Sequence, residues 1–175
     1  PSPKLVPLLH ERFRGDAAVA VHESNLETHV AAAPTSTYDC AVLVNVLEHI
    51  EDDVGALAAL RRLVRPGGNV VLFVPAFSFA MSQFDREIGH YRRYTKRVML
   101  DRLDAASLSP PRVLRYVNAP GLVAWYVGMR LLRRRPQRSS LLDAWDKAIV
   151  PLTSRIEQRL SPPFGQSLFV VTTVR

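Results

Sequence analysis

Two apolar segments that flank an amphipathic one constrain the fold of this 175-residue chain more than any other feature. Residues 38–45 (YDCAVLVN) and 69–74 (NVVLFV) are nearly continuous apolar runs, which are typical of parallel strands buried on both faces. Between them, residues 50–64 carry apolar side chains at helical spacing behind an acidic start, and the sequence RPGG at 65–68 ends that helix. Strand, helix and strand in this order imply a right-handed crossover and a parallel sheet, so the sequence predicts an α/β fold.

The rest of the chain continues this alternation of helices and strands. A Ser-Pro pair opens a first helix that Gly15 ends, and a short strand is predicted at 17–22. Downstream, the predicted elements are a helix at 95–106, a strand at 112–117 and an apolar-then-basic helix at 122–135. An amphipathic stretch at 141–160 follows, in which Pro151 either bends the helix or starts a second one. The last predicted element is a strand at 167–174.

Composition excludes some classes of protein and leaves others open. Hydrophobic residues make up 47% of the chain and charged residues 22%, which rules out disorder for most of its length. The longest uncharged apolar stretch, around 121–129, is shorter than the ~20 residues of a bilayer span. With one cysteine (Cys40) and no secretory signal in residues 1–20, we expect a cytoplasmic protein without an internal disulfide. The net charge of +7 permits nucleic acid, anionic lipid or phosphorylated partners without choosing among them, and it also serves solubility.

Functional residues are expected at the carboxyl ends of the strands, where open parallel sheets bind their ligands. Three segments follow predicted strands: residues 22–27 (HESNLE), residues 45–53 (NVLEHIEDD), and the long loop at 75–95, which carries GHYRRYT at 89–95. Long loops in compact domains are usually functional or disordered, and the aromatic and charged content of this one argues against disorder.

The segment from YDCAVLVNVLEH through LVRPGG to NVVLFVPA resembles the middle of class I S-adenosylmethionine-dependent methyltransferases. GHYRRYT at 89–95, NAPG at 118–121 and PPFGQS at 162–167 are similar to one subgroup of that family, whose members often accompany glycosyltransferases. The resemblance implies a Rossmann-like, mostly parallel sheet with an antiparallel final strand. It also implies S-adenosylmethionine as cofactor and methyl transfer to a small-molecule, glycan or lipid-linked acceptor.

The chain departs from the family pattern at its front. The family's first strand, its glycine-rich turn and the acid after its second strand have no counterpart in residues 1–175. We therefore expect a single, incomplete methyltransferase domain over 1–175, lacking the first two strands and carrying a helical insertion at about 120–160. We expect this chain by itself to bind S-adenosylmethionine weakly, and a strand at 17–22 to lack a neighbour in the sheet.

The resemblance assigns cofactor-binding residues on two of these segments and at the start of the chain. They are Ser2, Asn25, Leu26, Asn45, Val46 and Leu47. Asn25 and Leu26 match the family position that contacts the adenine. Asn45, Val46 and Leu47 match the segment that lines the cofactor. Leu47 fits a core position equally well.

The candidate catalytic and substrate-binding residues lie at Glu48–His49 and in the loop at 75–95. His49 and His90 are the candidate catalytic bases, because an imidazole titrates near neutral pH. The candidate substrate-binding residues are Glu48, His90, Arg92, Arg93 and Tyr94. Adjacent arginines point in opposite directions, so we expect one to reach the acceptor and the other to pair with Asp85 or Glu87.

Several alternatives stay open from the sequence. One alternative is that Glu48 and His49 only orient the loop and cap the acidic helix. Another is a cation site, since some O-methyltransferases bind a cation through E-x-x-E-H. Here Asn45 replaces the first acid of that pattern, so we predict no metal. The rival functions are an RNA methyltransferase, and a non-catalytic fold that contacts a membrane surface or a partner through residues 122–135. We expect no nucleic-acid partner, and the oligomeric state is unknown.

Overall fold

The computed structural model describes residues 4–131 and 150–175, and the chain divides into two compact units, Pro1–Pro34 and Thr35–Arg175. The first unit contains helices α1 (Leu5–Arg12) and α2 (Leu26–Ala32). Pro7 fits in α1 because it lies in the first turn, where backbone N–H groups have no helical partner. Gly15, with φ of +82°, follows the end of α1 as predicted.

Residues 17–22 do not form the predicted strand. They form a turn followed by irregular backbone between the two helices of the first unit. A β-strand is stable only where a neighbour completes its backbone hydrogen bonds, and among the described residues this segment has no such partner. The β-branched content that suggested a strand is therefore not sufficient here.

The second unit is built on a four-stranded sheet. Its strands are β1 (Tyr38–Val44), β2 (Val64–Pro75), β3 (Val113–Val117) and β4 (Ser167–Thr173), in the spatial order β1-β2-β4-β3. Strands β1 and β2 are parallel, whereas β4 runs antiparallel to both β2 and β3. The predicted mixed α/β sheet with an antiparallel final strand is thus confirmed.

The helices of the second unit follow the predicted order, with the addition of a short helix, Gln83–Glu87, inside the segment predicted as a loop. They are α3 (Asp53–Leu63), α4 (Gln83–Glu87), α5 (Lys96–Ala105), α6 (Ala119–Trp125), which continues as a wider helical turn at Tyr126–Leu131, and α7 (Val150–Arg159). Short single turns at Leu47–His49 and Ser78–Ala80 complete the described elements. None of the helices in the described parts of the chain combines the length and apolar character that spanning a bilayer requires.

The core lies between the central strands and the helices. Val70, Leu72 and Val74 of β2 are fully buried, as are Leu168 and Val170 of β4. Burial of such side chains stabilises the fold by about 1.5–3 kcal/mol each.

Strand β1 is less buried than its apolar sequence predicts. Val42 and Val44 are 61% and 57% exposed, because among the described residues β1 pairs with β2 alone. The prediction that β1 is covered on both faces is therefore wrong for this strand as the structure shows it.

Parts of the predicted helical region lie outside the described residues. The predicted helix at 122–135 is helical through Leu131, and residues 132–135 fall beyond the described part. Of the amphipathic stretch at 141–160, the described part forms α7 and the remainder, 141–149, is likewise outside.

Candidate functional site

Two of the three predicted segments meet at the carboxyl edge of β1 and β2. At the end of β1, Asn45 adopts a left-handed backbone conformation with φ of +51°, and its N–H donates to the carbonyl of Phe73 on β2. This sharp turn directs the chain into the short helical turn Leu47–His49. Asn45 is therefore the point at which the strand ends and the candidate site begins.

The loop after β2 folds back against this turn and is held there by backbone hydrogen bonds. The N–H of Tyr94 donates to the carbonyl of Pro75 at 2.8 Å, and the N–H of Phe77 donates to the carbonyl of Tyr94 at 3.0 Å. The N–H of Tyr91 donates to the carbonyl of Glu48 at 2.9 Å. Residues 89–95 consequently lie beside the turn that follows β1.

A buried carboxylate, Asp85, organises the inner side of this loop. It completes a reciprocal cap with Ser82 at the start of α4, accepting from the Ser82 N–H at 2.7 Å and from the Ser82 hydroxyl at 2.6 Å. It also accepts from the Arg93 guanidinium at 2.7 Å and 3.1 Å. Although burial pushes the pKa of Asp85 upward, the hydrogen bonds from Ser82 and Arg93 hold it below its usual range.

His90 is oriented by Asp85. Its Nδ1 lies 2.9 Å from Oδ1 of Asp85, and its side chain is only 9% exposed. Burial lowers the pKa of His90 despite the opposing attraction of Asp85. Because the ionised Asp85 can only accept, Nδ1 carries a proton, and in the neutral form of the ring Nε2 presents a lone pair. That Nε2 atom lies 3.8 Å from Oε1 of Glu48.

Glu48 is a fully buried carboxyl group whose two oxygens have no hydrogen-bond partner. Burial raises its pKa to about 7, and the proximity of its own backbone N–H, followed by that of the Arg93 guanidinium, limits the rise. The ring of the exposed His49 packs edge-on against His90, with 4.5 Å between the ring centroids. Glu48, His49 and His90, hereafter the two-histidine cluster, each offer a ligand atom within 4.8 Å of the others.

The two adjacent arginines have different environments, as predicted. Arg93 is 2% exposed at its side chain, bonds Asp85, and its guanidinium lies 5.0 Å from the centre of the Trp125 ring. The predicted pairing of one arginine with Asp85 is confirmed. Arg92 is 24% exposed and binds Asp53 at 2.7 Å. Arg93 is therefore the buried arginine of the two, and its role in substrate binding stays a prediction.

Tyr94 also lies in the core instead of facing an acceptor. Its ring is fully buried, and its hydroxyl donates to Oδ2 of Asp53 at 3.1 Å. Burial, reinforced by the charge of Asp53, raises the pKa of Tyr94. The side chain of Tyr94 therefore links the loop to the start of α3, and its substrate-binding role stays a prediction.

Asp53 is a structural centre that sequence reasoning did not assign. Its carboxylate accepts a hydrogen bond from the Tyr94 hydroxyl. It also forms ion pairs with Arg92 at 2.7 Å and with Arg102 at 3.2 Å. The only local signal was its place in an acidic run at a helix start, where Asp52 is the residue that caps α3. Its partners lie about forty residues or more further along the chain, so no short motif connects them.

The predicted cofactor residues differ in how far their side chains are exposed to a ligand. Asn45 and Val46 are exposed at the end of β1, whereas Leu47 is fully buried, so its side chain belongs to the core. In the first unit, the side-chain oxygen of Asn25 accepts from the N–H of Thr28 at 2.7 Å and caps α2, with Leu26 as its first residue. Ser2 lies outside the described residues.

Comparison with known families agrees with this architecture. The profile of the family described as "Methyltransferase domain" matches residues 3–124, more than half of the chain. The match includes β1, α3 and β2, together with the turn and the loop that carry the two-histidine cluster. The chain therefore belongs to the methyltransferase-domain family.

Individual relatives are similar over parts of the chain. An uncharacterized 37.1 kDa protein in transposon TN4556 of Streptomyces fradiae is 34% identical over 88 residues, which are 50% of this chain and 25% of that protein. The ubiquinone biosynthesis O-methyltransferase of Sodalis glossinidius (strain morsitans) is 37% identical over 68 residues, 39% of this chain and 26% of that protein. The matched segments thus span about a quarter of the length of these curated relatives.

A solved structure shares the fold. Geranyl diphosphate methyltransferase, solved in complex with SAM, superposes with a TM-score of 0.65 at 15% identity, covering 99% of this chain and 66% of that one. At this identity the likeness shows the fold alone. It is the Rossmann-like fold of S-adenosylmethionine-dependent methyltransferases.

Proposed function

We propose that the protein transfers a methyl group from S-adenosylmethionine to a hydroxyl of a small-molecule acceptor bound at the two-histidine cluster. The observation that carries this proposal is the cluster's position, immediately after the exposed Asn45–Val46 turn at the carboxyl end of β1. Family membership supports methyl transfer. The name of the matched O-methyltransferase supports oxygen as the acceptor atom. Glycan and lipid-linked hydroxyls belong to the same proposed acceptor class.

The residues at the end of β1 fit a role in holding the cofactor. The left-handed backbone of Asn45 leaves its amide and the neighbouring Val46 exposed at the sheet edge. An amide that both donates and accepts, next to an apolar side chain, suits the polar and apolar parts of a nucleoside. The roles proposed for Asn25, Leu26 and Ser2 rest on the resemblance alone. When bound, S-adenosylmethionine supplies a methyl group on a positively charged sulfur that leaves as a neutral thioether.

The chain's own part in the reaction is to position the acceptor and take up its proton. Asp85 orients His90 so that the lone pair of Nε2 points into the cluster, and the exposed His49 stands at its outer side. Arg92 keeps partial exposure nearby and is the arginine proposed to contact a polar acceptor. Alignment and exclusion of water contribute a large share of the acceleration in reactions of this kind.

Cofactor binding tests the first half of the proposal. In the full gene product, calorimetry should show that Asn45→Ala raises the dissociation constant for S-adenosylmethionine by roughly tenfold, the scale of one lost hydrogen bond. Asn45→Gly is the matched variant, because it also lacks the amide but tolerates the positive φ. Equal weakening in both assigns the effect to the amide; wild-type affinity in Asn45→Gly would place the cofactor elsewhere.

Turnover tests the second half. Formation of S-adenosylhomocysteine is measured with a catechol, a methyl glycoside and a prenyl-linked glycan as acceptors. His90→Ala should lower turnover by about a hundredfold or more while cofactor affinity stays within about twofold. His10→Ala, on the exposed surface of α1, is the control. Unchanged turnover in His90→Ala would contradict the proposed role of the cluster.

A further inference from the structure

We infer that Glu48, His49 and His90 form a binding site for one divalent first-row transition-metal ion. Their ligand atoms all lie within 4.8 Å of one another. Two imidazoles and one carboxylate are a donor set that suits Zn²⁺, Fe²⁺ or Co²⁺ better than the all-oxygen sites that Mg²⁺ and Ca²⁺ prefer. The sequence-based prediction of no metal rested on Asn45 in place of an acid, but the structure supplies the third ligand from the loop, through His90.

The state of Glu48 is an independent observation that points to a cation. The side chain is fully buried, yet both carboxylate oxygens lack a hydrogen-bond partner. A buried carboxyl group is neutralised by a proton, by a hydrogen-bonded or charged partner, or by a metal ion. The closest ring nitrogen, Nε2 of His90, is 3.8 Å from Oε1, which is too far for a hydrogen bond. An ion between these atoms would satisfy the carboxylate.

His90 is already oriented as a ligand. Metal-binding histidines commonly donate their second ring N–H to a carboxylate, which fixes the tautomer and leaves the other nitrogen for the metal. Asp85 accepts that hydrogen bond from Nδ1 at 2.9 Å, and Ser82 and Arg93 hold Asp85 in place. The lone pair of Nε2 is therefore directed toward Glu48 before any ion binds.

Only a small adjustment separates this arrangement from a coordinated one. Ligand atoms about 2.1 Å from a tetrahedral ion lie roughly 3.4 Å apart, so the three groups must approach one another by about an ångström. His49 is the exposed member of the cluster, so its ring can turn toward the other two ligands. Three protein ligands leave a further coordination position open, as in catalytic zinc sites.

The ion would also take part in the proposed methyl transfer, and that part of the inference rests on the proposed function. The binding of the ion itself does not depend on that function. An acceptor hydroxyl at the open position would be acidified, because the ion stabilises the oxygen anion. The O–H bond breaks and the proton passes to water. The oxygen then forms a bond to the methyl carbon as the carbon–sulfur bond breaks and its electrons return to sulfur. With the ion bound, the imidazoles serve as ligands, so the proton-acceptor role proposed above for His90 applies to the metal-free protein.

Cobalt binding tests the site directly. The full gene product, stripped with EDTA and freed of any affinity tag, is titrated with Co²⁺ and followed by visible absorption. We expect saturation at one ion per chain and displacement by Zn²⁺. Glu48→Gln, which keeps the size of the side chain, and His90→Ala should each weaken Co²⁺ binding by about a hundredfold or more. Far-UV circular dichroism checks that each variant is folded.

Another histidine pair provides the control. The rings of His22 and His29 in the first unit are 5.3 Å apart, so His22→Ala should leave Co²⁺ binding unchanged. Loss of binding in His22→Ala alone would assign the ion to that pair. Absence of saturable binding, or wild-type affinity in both Glu48→Gln and His90→Ala, would overturn the inference.

Activity distinguishes the two proposals. Methyl transfer that persists after EDTA in a protein that binds no Co²⁺ would refute the metal site and leave the methyltransferase proposal intact. Cobalt binding that depends on Glu48, in a protein that transfers no methyl group to any acceptor tried, would refute the proposed function and leave the metal site intact.

Discussion

Replacing Arg93 with alanine should destabilise the protein far more than the same change at its neighbour Arg92. The Arg93 side chain is 2% exposed, and its guanidinium donates two hydrogen bonds to Asp85 and one to the carbonyl of Ala76. It also lies over the ring of Trp125. Its removal leaves the charge of Asp85 buried with only neutral partners.

The expected magnitudes follow from burial. Removing one partner of a buried ion pair typically costs about 3–5 kcal/mol of unfolding free energy, because the other charge is left uncompensated. Arg92 is 24% exposed, and Asp53 keeps Tyr94 and Arg102 when Arg92 is removed. Solvent screening and these remaining partners reduce the cost of Arg92→Ala to about 1 kcal/mol. The two variants should therefore differ by about 2–4 kcal/mol.

Urea unfolding followed by far-UV circular dichroism measures this difference without relying on the fluorescence of Trp125, which contacts one of the mutated groups. Both variants are compared with wild type at the same protein concentration. Costs for Arg93→Ala and Arg92→Ala that agree within about 0.5 kcal/mol would refute the reasoning, because the buried pair would then contribute no more than an exposed one.

Two further variants test the packing around the site by the same unfolding measurement. Tyr94→Phe removes the hydroxyl that donates to Asp53 at 3.1 Å and should cost about 1–3 kcal/mol; a change below about 0.5 kcal/mol would show that the bond does not contribute. Gly165→Ala should cost about 1–3 kcal/mol or more, since its new Cβ would lie 2.4 Å from the carbonyl oxygen of Val117. Gly128→Ala, whose Cβ would meet nothing within 4 Å, is the control, and equal costs in both glycine variants would contradict this account.

The central part of the fold could be predicted because its signals are local. The apolar runs that became β1 and β2 and the helical spacing that became α3 each act within about a dozen residues. Ile50 shows the limit of such spacing: it fits the helical stripe, yet α3 begins only at Asp53, where Asp52 caps it. The cap determines the start of the helix because it satisfies the first free N–H groups.

Burial was harder to predict, since it depends on neighbours that the local sequence does not contain. The apolar residues of β1 suggested a strand covered on both faces, but Val42 and Val44 are largely exposed. The opposite error occurred at Tyr94, a polar aromatic in a charged loop, which is fully buried. Its burial depends on Asp53, a residue 41 positions earlier in the chain.

The same dependence on distant contacts explains how the two-histidine cluster arises. A linear pattern such as E-x-x-E-H contains all of its ligands within five consecutive residues. This chain does not match it, because Asn45 stands in place of the first acid. His90 reaches the cluster because the N–H of Tyr91 bonds the carbonyl of Glu48, and Asp85 then fixes the direction of the ring. The position of Nε2 is thus set by a carboxylate that is itself held by Arg93. A change at Arg93 should therefore disturb the chemistry of His90 as well as stability, even though the Arg93 side chain is buried.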